Sequence, residues 1–306
     1  MADPIISVIM VDGGFRESFH AVDYFSEQSL ARDRFEIIWV DYTDRVAPEV
    51  ARRSDVRSFA LGRTDEPQAL GYAYNKGICE AKGEILVIPD GDVACPPDLL
   101  ETVLDEHSRT EDLLLYVLRL DQPAERYRPG WDLEHLKSTC TIRHTYNFGG
   151  CTTIRRRWML KMNGYEQLPF FAGYHYLGGD NYIRSKNLGL KIKWHPTLRV
   201  YHPWHPVPPR EKFDTVQQME QVIRQRAVTW QWLAYDGIDP GRNAPYDPEA
   251  PVRTDWPRVS TEYGPFFPRG EAAAKGSRLK RAVLFFPRHG LIGGMKRLAG
   301  RLSGRS

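Results

Sequence analysis

The chain has 306 residues, a net charge of +3, 42% hydrophobic and 26% charged residues, which excludes collagen-like, mucin-like and wholly disordered readings. It has room for one large domain or two smaller ones. No run of about 18 apolar residues occurs, and Met1–Val11 lacks the basic start of a secretory signal, so a cytoplasmic protein is expected. Four cysteines, Cys79, Cys95, Cys140 and Cys151, form no CxxC pair and suit a reducing compartment. Charge is unevenly spread: residues 275–306 hold nine Lys and Arg and no Asp or Glu, leaving 33 cations against all 39 carboxylates in residues 1–274. An acidic body with a basic tail points to an anionic partner for the tail alone.

The first hundred residues alternate between strand and helix patterns. Ile5–Val11 (IISVIMV) is a short β-branched run closed by Asp12-Gly13-Gly14 and predicts a buried strand. Residues 16–31 place Phe19, Val22, Phe25 and Leu30 near helical spacing, Phe35–Val40 is a second strand and Val56–Leu61 a third. Gln68–Ala81 sets Leu70, Ala73, Tyr74, Gly77 and Ile78 on one helical face, and Glu84–Ile88 runs into Pro89-Asp90-Gly91-Asp92. Such alternation predicts an α/β fold with a mostly parallel central sheet and helices on both faces. Ligands of such sheets bind beyond the carboxyl ends of the strands, where Asp12, Asp41, Asp90 and Asp92 fall.

Further on, a helix is expected over Pro97–Arg109 and a strand over Leu113–Leu120, with residues 121–150 irregular. Cys151–Ile154 reads as a strand feeding a helix over Arg155–Met162. An aromatic loop leads to Gly178-Gly179-Asp180-Asn181 and a short helix through Lys186. Leu190–Trp194 and Leu198–Tyr201 predict two short strands, and Asp214–Tyr235 a long amphipathic helix. Seven prolines in residues 236–271 make that stretch an extended wrap or linker. The implied organisation is a donor half (1–110), an acceptor half (111–206), a helix (207–235), a Pro-rich extension (236–274) and a basic amphipathic tail (275–306).

Asp90-Gly91-Asp92 carries the most chemistry. Two carboxylates flanking one glycine can face the same way from a turn, and their hard oxygens suit Mg²⁺ or Mn²⁺ on a nucleotide's phosphates. A tight turn that merely favours Asp and Gly is the plain alternative.

Residues 83–98 (GEILVIPDGDVACPPD), preceded by Ala73-Tyr74-Asn75-Lys76-Gly77-Ile78, resemble the family-2-type glycosyltransferases of GT-A fold. Phe35–Asp44 (FEIIWVDYTD) is similar to that family's second strand. Gly149-Gly150-Cys151 through Arg157, Asn163-Gly164-Tyr165-Glu166 and Gly179-Asp180 resemble its acceptor half. The likeness spans residues 5–205. It implies a nucleotide-sugar donor, a UDP-sugar foremost, and a glycan or lipid-linked hydroxyl acceptor. It also implies donor-binding roles for Asp12, Asp41, Asn75 and Asp90, and a metal site of Asp92, Asp90 and His202 for Mn²⁺ or Mg²⁺. Asp180 would be the general base of an inverting transfer. Three positions depart from the family pattern: Val11–Gly14 stands for Pro-Thr-Tyr-Asn, Tyr42 for an aspartate and Gly179 for a glutamate.

Other readings stand beside these. Asp180 would also serve as an N-cap for a helix starting at Asn181, and His205 rivals His202. Phe171, Tyr174 and Tyr176, with Phe170 and His175, would form an acceptor platform or simply pack in a core. Arg155-Arg156-Arg157 is a phosphate contact or a solvated charge run. The tail mixes nine cations with apolar residues, as a segment lying on an anionic membrane does, although glycines at 290, 293, 294, 300 and 304 weaken a continuous helix. A disordered tail is the alternative, and no nucleic-acid motif is present. A catalytically inactive nucleotide-sugar-binding scaffold and a nucleotidyltransferase are the competing functions.

Overall fold

β-Branched and aromatic residues at alternating positions extend the short apolar runs and fill both faces of one sheet. The computed structural model of the protein describes residues 3–14, 16–64, 68–143, 148, 150–172, 177–206 and 216–252. The strands are β1 (Ile6–Asp12), β2 (Phe35–Asp41), β3 (Val56–Ala60), β4 (Ile85–Pro89), β5 (Leu113–Asp121), β6 (Cys151–Arg155) and β7 (Lys191–His202). The α-helices are α1 (His20–Ser26), α2 (Pro48–Ala51), α3 (Gly71–Glu80), α4 (Leu99–Arg109), α5 (Leu133–Thr139), α6 (Arg156–Lys161), α7 (Leu177–Asn187) and α8 (Val216–Thr229). The sheet order is β3-β2-β1-β4-β6-β5-β7. Only β6 runs against its neighbours, so β1 to β5 and β7 all point the same way. This is the mostly parallel α/β sheet that the alternation predicts.

The pleat divides the core. Ile6, Val8 and Met10 of β1 join Phe35, Ile37 and Trp39 of β2 in one cluster with Val22 and Phe25 of α1 and Leu99 and Val103 of α4. Ile9, one residue out of step, faces Gly77 of α3 on the other side. Helices therefore cover both faces.

Four elements differ from their predicted extent. α1 stops at Ser26 because Gln28 leaves the helix to fasten the next segment: its amide donates to the carbonyl oxygens of Tyr24 and Pro96, and its own oxygen accepts from Leu100 N–H. α5 lies in the stretch expected to be irregular, nucleated by the Asp132 side chain, which accepts from the Glu134 and His135 N–H groups. The two short strands after residue 190 are one strand, β7. Its pairing with β5 jumps from Tyr116–Trp194 to Leu118–Arg199, and the His195 ring accepts from the backbone of Leu198 at 2.8 Å within the bulge. α8 ends six residues early because Trp230 adopts a left-handed conformation, φ 56°.

After α8 the chain turns back across the acceptor half. Ala234 N–H bonds the Met162 carbonyl, Ile238 N–H that of Asn163, and Gln167 N–H that of Asp236. The start of the Pro-rich extension is thus a wrap, while its later part and the basic tail lie outside the described residues. No helix among the described residues is long and apolar enough to cross a membrane.

Candidate functional site

Parallel strands deliver their last residues to one edge, and here that edge is acidic. Asp12 ends β1, Asp41 ends β2, Asp90 follows β4, Asp121 ends β5 and His202 ends β7. Register pairs Asp12 with Asp41 and Asp121 with His202.

At the centre, Asp92, His202 and His205 bring three ligand atoms within 4.8 Å of one another. Asp92 Oδ2 is 3.5 Å from Nε2 of each histidine, and the two Nε2 atoms are 3.2 Å apart. Ligands held at about 2.0–2.2 Å from one ion sit about 3 Å from each other, so the spacing fits a shared cation. The far side of each ring supports this. His202 Nδ1 is 3.2 Å from Asp121 Oδ1, and His205 Nδ1 is 2.9 Å from the Pro206 carbonyl oxygen. Both partners accept a proton from Nδ1, which leaves each Nε2 lone pair for a ligand. His202 and His205 are therefore joint candidates, where the sequence offered them as rivals. Asp90 is absent from this trio: its Oδ2 takes a 2.6 Å bond from Arg119, which also reaches Asp121 at 3.0 Å.

A second arginine, Arg16, bonds Asp92 through Nη1 and lies 3.5 Å from Asp12 through Nε. Burial works to raise the Asp92 carboxyl, but Arg16 and the two histidines outweigh it and hold the group well below the usual carboxylate range. Asp90 moves the other way, pushed up by burial that Arg119 only partly offsets. Burial depresses the His202 imidazole, yet its bonds to Asp121 and Asp92 raise it to about 9.

The neighbouring strand ends hold Asp12 and Asp41 side by side, both buried. Asp41 Oδ2 accepts from Trp39 Nε1 at 2.9 Å and from Ala47 N–H at 3.2 Å. Burial, and then the Asp12 charge, raise the Asp41 carboxyl to about 6. Asn75 is placed differently from its expected donor-binding role. Its amide donates to the Tyr165 carbonyl at 2.9 Å and accepts from Tyr165 N–H at 2.7 Å, so it ties α3 to the loop after α6. That loop turns at Asn163-Gly164, with φ of 67° and 75°, and a Cβ at Gly164 would lie 2.3 Å from Asn75 Oδ1.

Asp180 lies inside the first turn of α7 and not at an N-cap, because the helix begins at Leu177. It is 1% exposed. Arg226 Nε stands 2.8 Å from Oδ1 and Arg184 Nη1 3.3 Å from Oδ2. Arg226 also bonds Glu166 at 2.6 Å, and Glu166 accepts from the Tyr235 and Asp236 N–H groups. In this arrangement Asp180 is a counter-ion closed off from an acceptor hydroxyl. Phe171 is likewise buried and packs on Phe170. Tyr174 and Tyr176 lie outside the described residues. Arg155, Arg156 and Arg157 bond Glu84, the Ile78 carbonyl and Glu111 respectively, Arg155 buried and Arg157 exposed to solvent.

Sequence reading passed over Arg16, Arg119, Asp121, Arg184 and Arg226, and gave Glu166, quoted within the Asn163–Glu166 motif, no role. Asp121 had a signal, since it ends an apolar strand as Asp12 and Asp41 do. The arginines had none, because their partners are brought close only by the fold.

The family model described as Glycosyl transferase family 2 matches residues 22–171. No curated protein matches the chain by sequence. Among solved structures, residues 1–349 of S. aureus TarS in complex with UDP-GlcNAc superpose with a TM-score of 0.54 at 12% identity, covering 72% of this chain and 65% of that one. The UDP complex gives a TM-score of 0.53 at 12% identity, covering 74% and 64%. This chain thus spans just under two thirds of the length of those structures, and at such identity the likeness shows the fold. Strand order, edge and family match agree: residues 22–171 match glycosyl transferase family 2, on a GT-A fold.

Proposed function

We propose that this protein moves a sugar from a nucleoside-diphosphate donor to a hydroxyl acceptor, with a divalent cation held by Asp92, His202 and His205. The observation that carries the reading is the convergence of those three ligand atoms beside the Asp12–Asp41 pair. Such a cation supplies charge stabilisation to the departing diphosphate. Two imidazoles suit a first-row transition ion better than Mg²⁺, so Mn²⁺ is favoured. Asp12 and Asp41 stand where a base and ribose would lie, and Asp121 orients His202. The UDP and UDP-GlcNAc complexes of TarS make uridine the first donor to try. A glycan or lipid-linked acceptor, reached through a basic tail resting on an anionic membrane, fits the charge asymmetry.

An inverting transfer needs a base for the acceptor hydroxyl. Asp180 fills that role in a state where Arg226 has released it. The closed state found here favours one competing reading, a nucleotide-sugar-binding scaffold without turnover. Calorimetry of UDP, GDP and dTDP with and without Mn²⁺, on the wild type and Asp92→Asn, tests the donor site. One nucleotide binds in an Mn²⁺-dependent manner and is lost in the variant; no binding under any condition would sink the reading. Nucleotide release from UDP-sugars then separates the enzyme from the scaffold.

A further inference from the structure

We infer that Arg16 is a built-in cation that shares the metal position at Asp92, so that Arg16 and the divalent ion exclude one another there. The inference rests on the metal-site reading above and concerns what stands in that site before the ion arrives. Arg16 comes from the turn after β1 and Asp92 from the turn after β4, adjacent strands whose ends meet at the same edge. The guanidinium Nη1 bonds Asp92 Oδ2, the same oxygen that faces both histidine Nε2 atoms. An ion bound by the trio takes a lone pair of that oxygen, and a guanidinium and a divalent ion on one oxygen stand close enough to repel strongly, which sets them in competition for it.

The path of the arginine is built into the turn. A Cβ at Gly91 would lie 3.0 Å from Arg16 Nε and 3.3 Å from its Cζ. The glycine between the two aspartates therefore makes room for the guanidinium to lie across the turn. Arg16 Nε also stays 3.5 Å from Asp12, so the side chain has a second carboxylate to hold when it leaves Asp92. Arg119 is a different case, since it bonds Asp90 and Asp121 and leaves the trio free.

The consequence is a gate on metal affinity. Without donor, the ion must displace Arg16 from Asp92. With donor bound, the freed guanidinium has a diphosphate to meet, so metal and nucleotide strengthen each other's binding, and linkage makes the effect reciprocal. No bond is made or broken in the exchange beyond these ionic contacts.

The test is Mn²⁺ binding to the nucleotide-free, full-length protein, followed by the electron paramagnetic resonance signal of the free ion. Arg16→Gln binds Mn²⁺ at least about tenfold more tightly than the wild type, and UDP then improves Mn²⁺ affinity less in the variant than in the wild type. Arg63→Gln, which removes a charge near the end of β2, where its Nε donates to the Tyr42 hydroxyl, and leaves Asp92 and its partners untouched, stays within about twofold of the wild type. Equal affinity in Arg16→Gln and wild type overturns the inference and leaves the metal site standing. An equal gain in Arg63→Gln also overturns it, because general electrostatics then explains the change. If neither the wild type nor Arg16→Gln binds Mn²⁺, or if Asp92→Asn binds it as well as they do, the metal-site reading itself falls.

Discussion

Asp41 shows how a strand end sets a titration. Its carboxyl is buried beside Asp12, and burial followed by that charge lifts it to about 6, against an ordinary value of 3.8. A raised carboxyl contributes stability that is whole below the ordinary value and lost as pH rises through about 6. The stability difference between wild type and Asp41→Asn, taken from urea unfolding, therefore shifts in favour of the variant from pH 5 to pH 7. A difference constant over that range would show that Asp41 is not perturbed. The histidine pair yields a sharper expectation. Because His202 and His205 each aim an Nε2 at Asp92 and each have an acceptor at Nδ1, both His202→Ala and His205→Ala weaken Mn²⁺ binding, by about 10-fold or more each. Loss in only one variant would reduce the site to two protein ligands.

The elements were legible to the degree that local pattern decided them. Strands β1, β2, β4 and β5 announce themselves through apolar runs, and the rule that ligands gather at carboxyl ends selected Asp12, Asp41 and Asp90 without any structure. Asp121 stands one residue past its expected strand end, as Asp12 and Asp41 do, so the same rule applied to β5 selects it as well. Arg16 and Arg119 could not be read, since their partners are 76 and 29 residues away in sequence. The clamp between α7 and α8 belongs to the same class. Glu166, Asp180, Arg184 and Arg226 are all buried, and they join three separate segments through ion pairs and hydrogen bonds to the backbone of Trp232, Leu233, Tyr235 and Asp236. Removing one member leaves a buried charge uncompensated, so Arg226→Met costs about 3–5 kcal/mol of stability. Glu166→Gln added to Arg226→Met recovers part of that loss, a recovery that a purely steric defect would not show in urea unfolding.

Charge divides the whole molecule as the fold does not. The acidic edge of the sheet carries five carboxylates against Arg16, Arg119 and the two histidines, while the nine cations of residues 275–306 carry no acidic residue among them. Deleting that tail takes nine positive charges from a net +3 and leaves −6. If the tail seats the enzyme on an anionic surface, each basic residue near that surface is worth about 1 kcal/mol, and the attraction falls off over a screening length of about 8–10 Å. The full chain therefore sediments with vesicles containing phosphatidylserine and not with neutral ones, and raising the salt to about 1 M, where the screening length is about 3 Å, releases most of it. The protein ending at residue 274 stays in the supernatant with both. Binding that survives the deletion would move the membrane contact to the end of α8, where Val228 and Trp230 stand exposed.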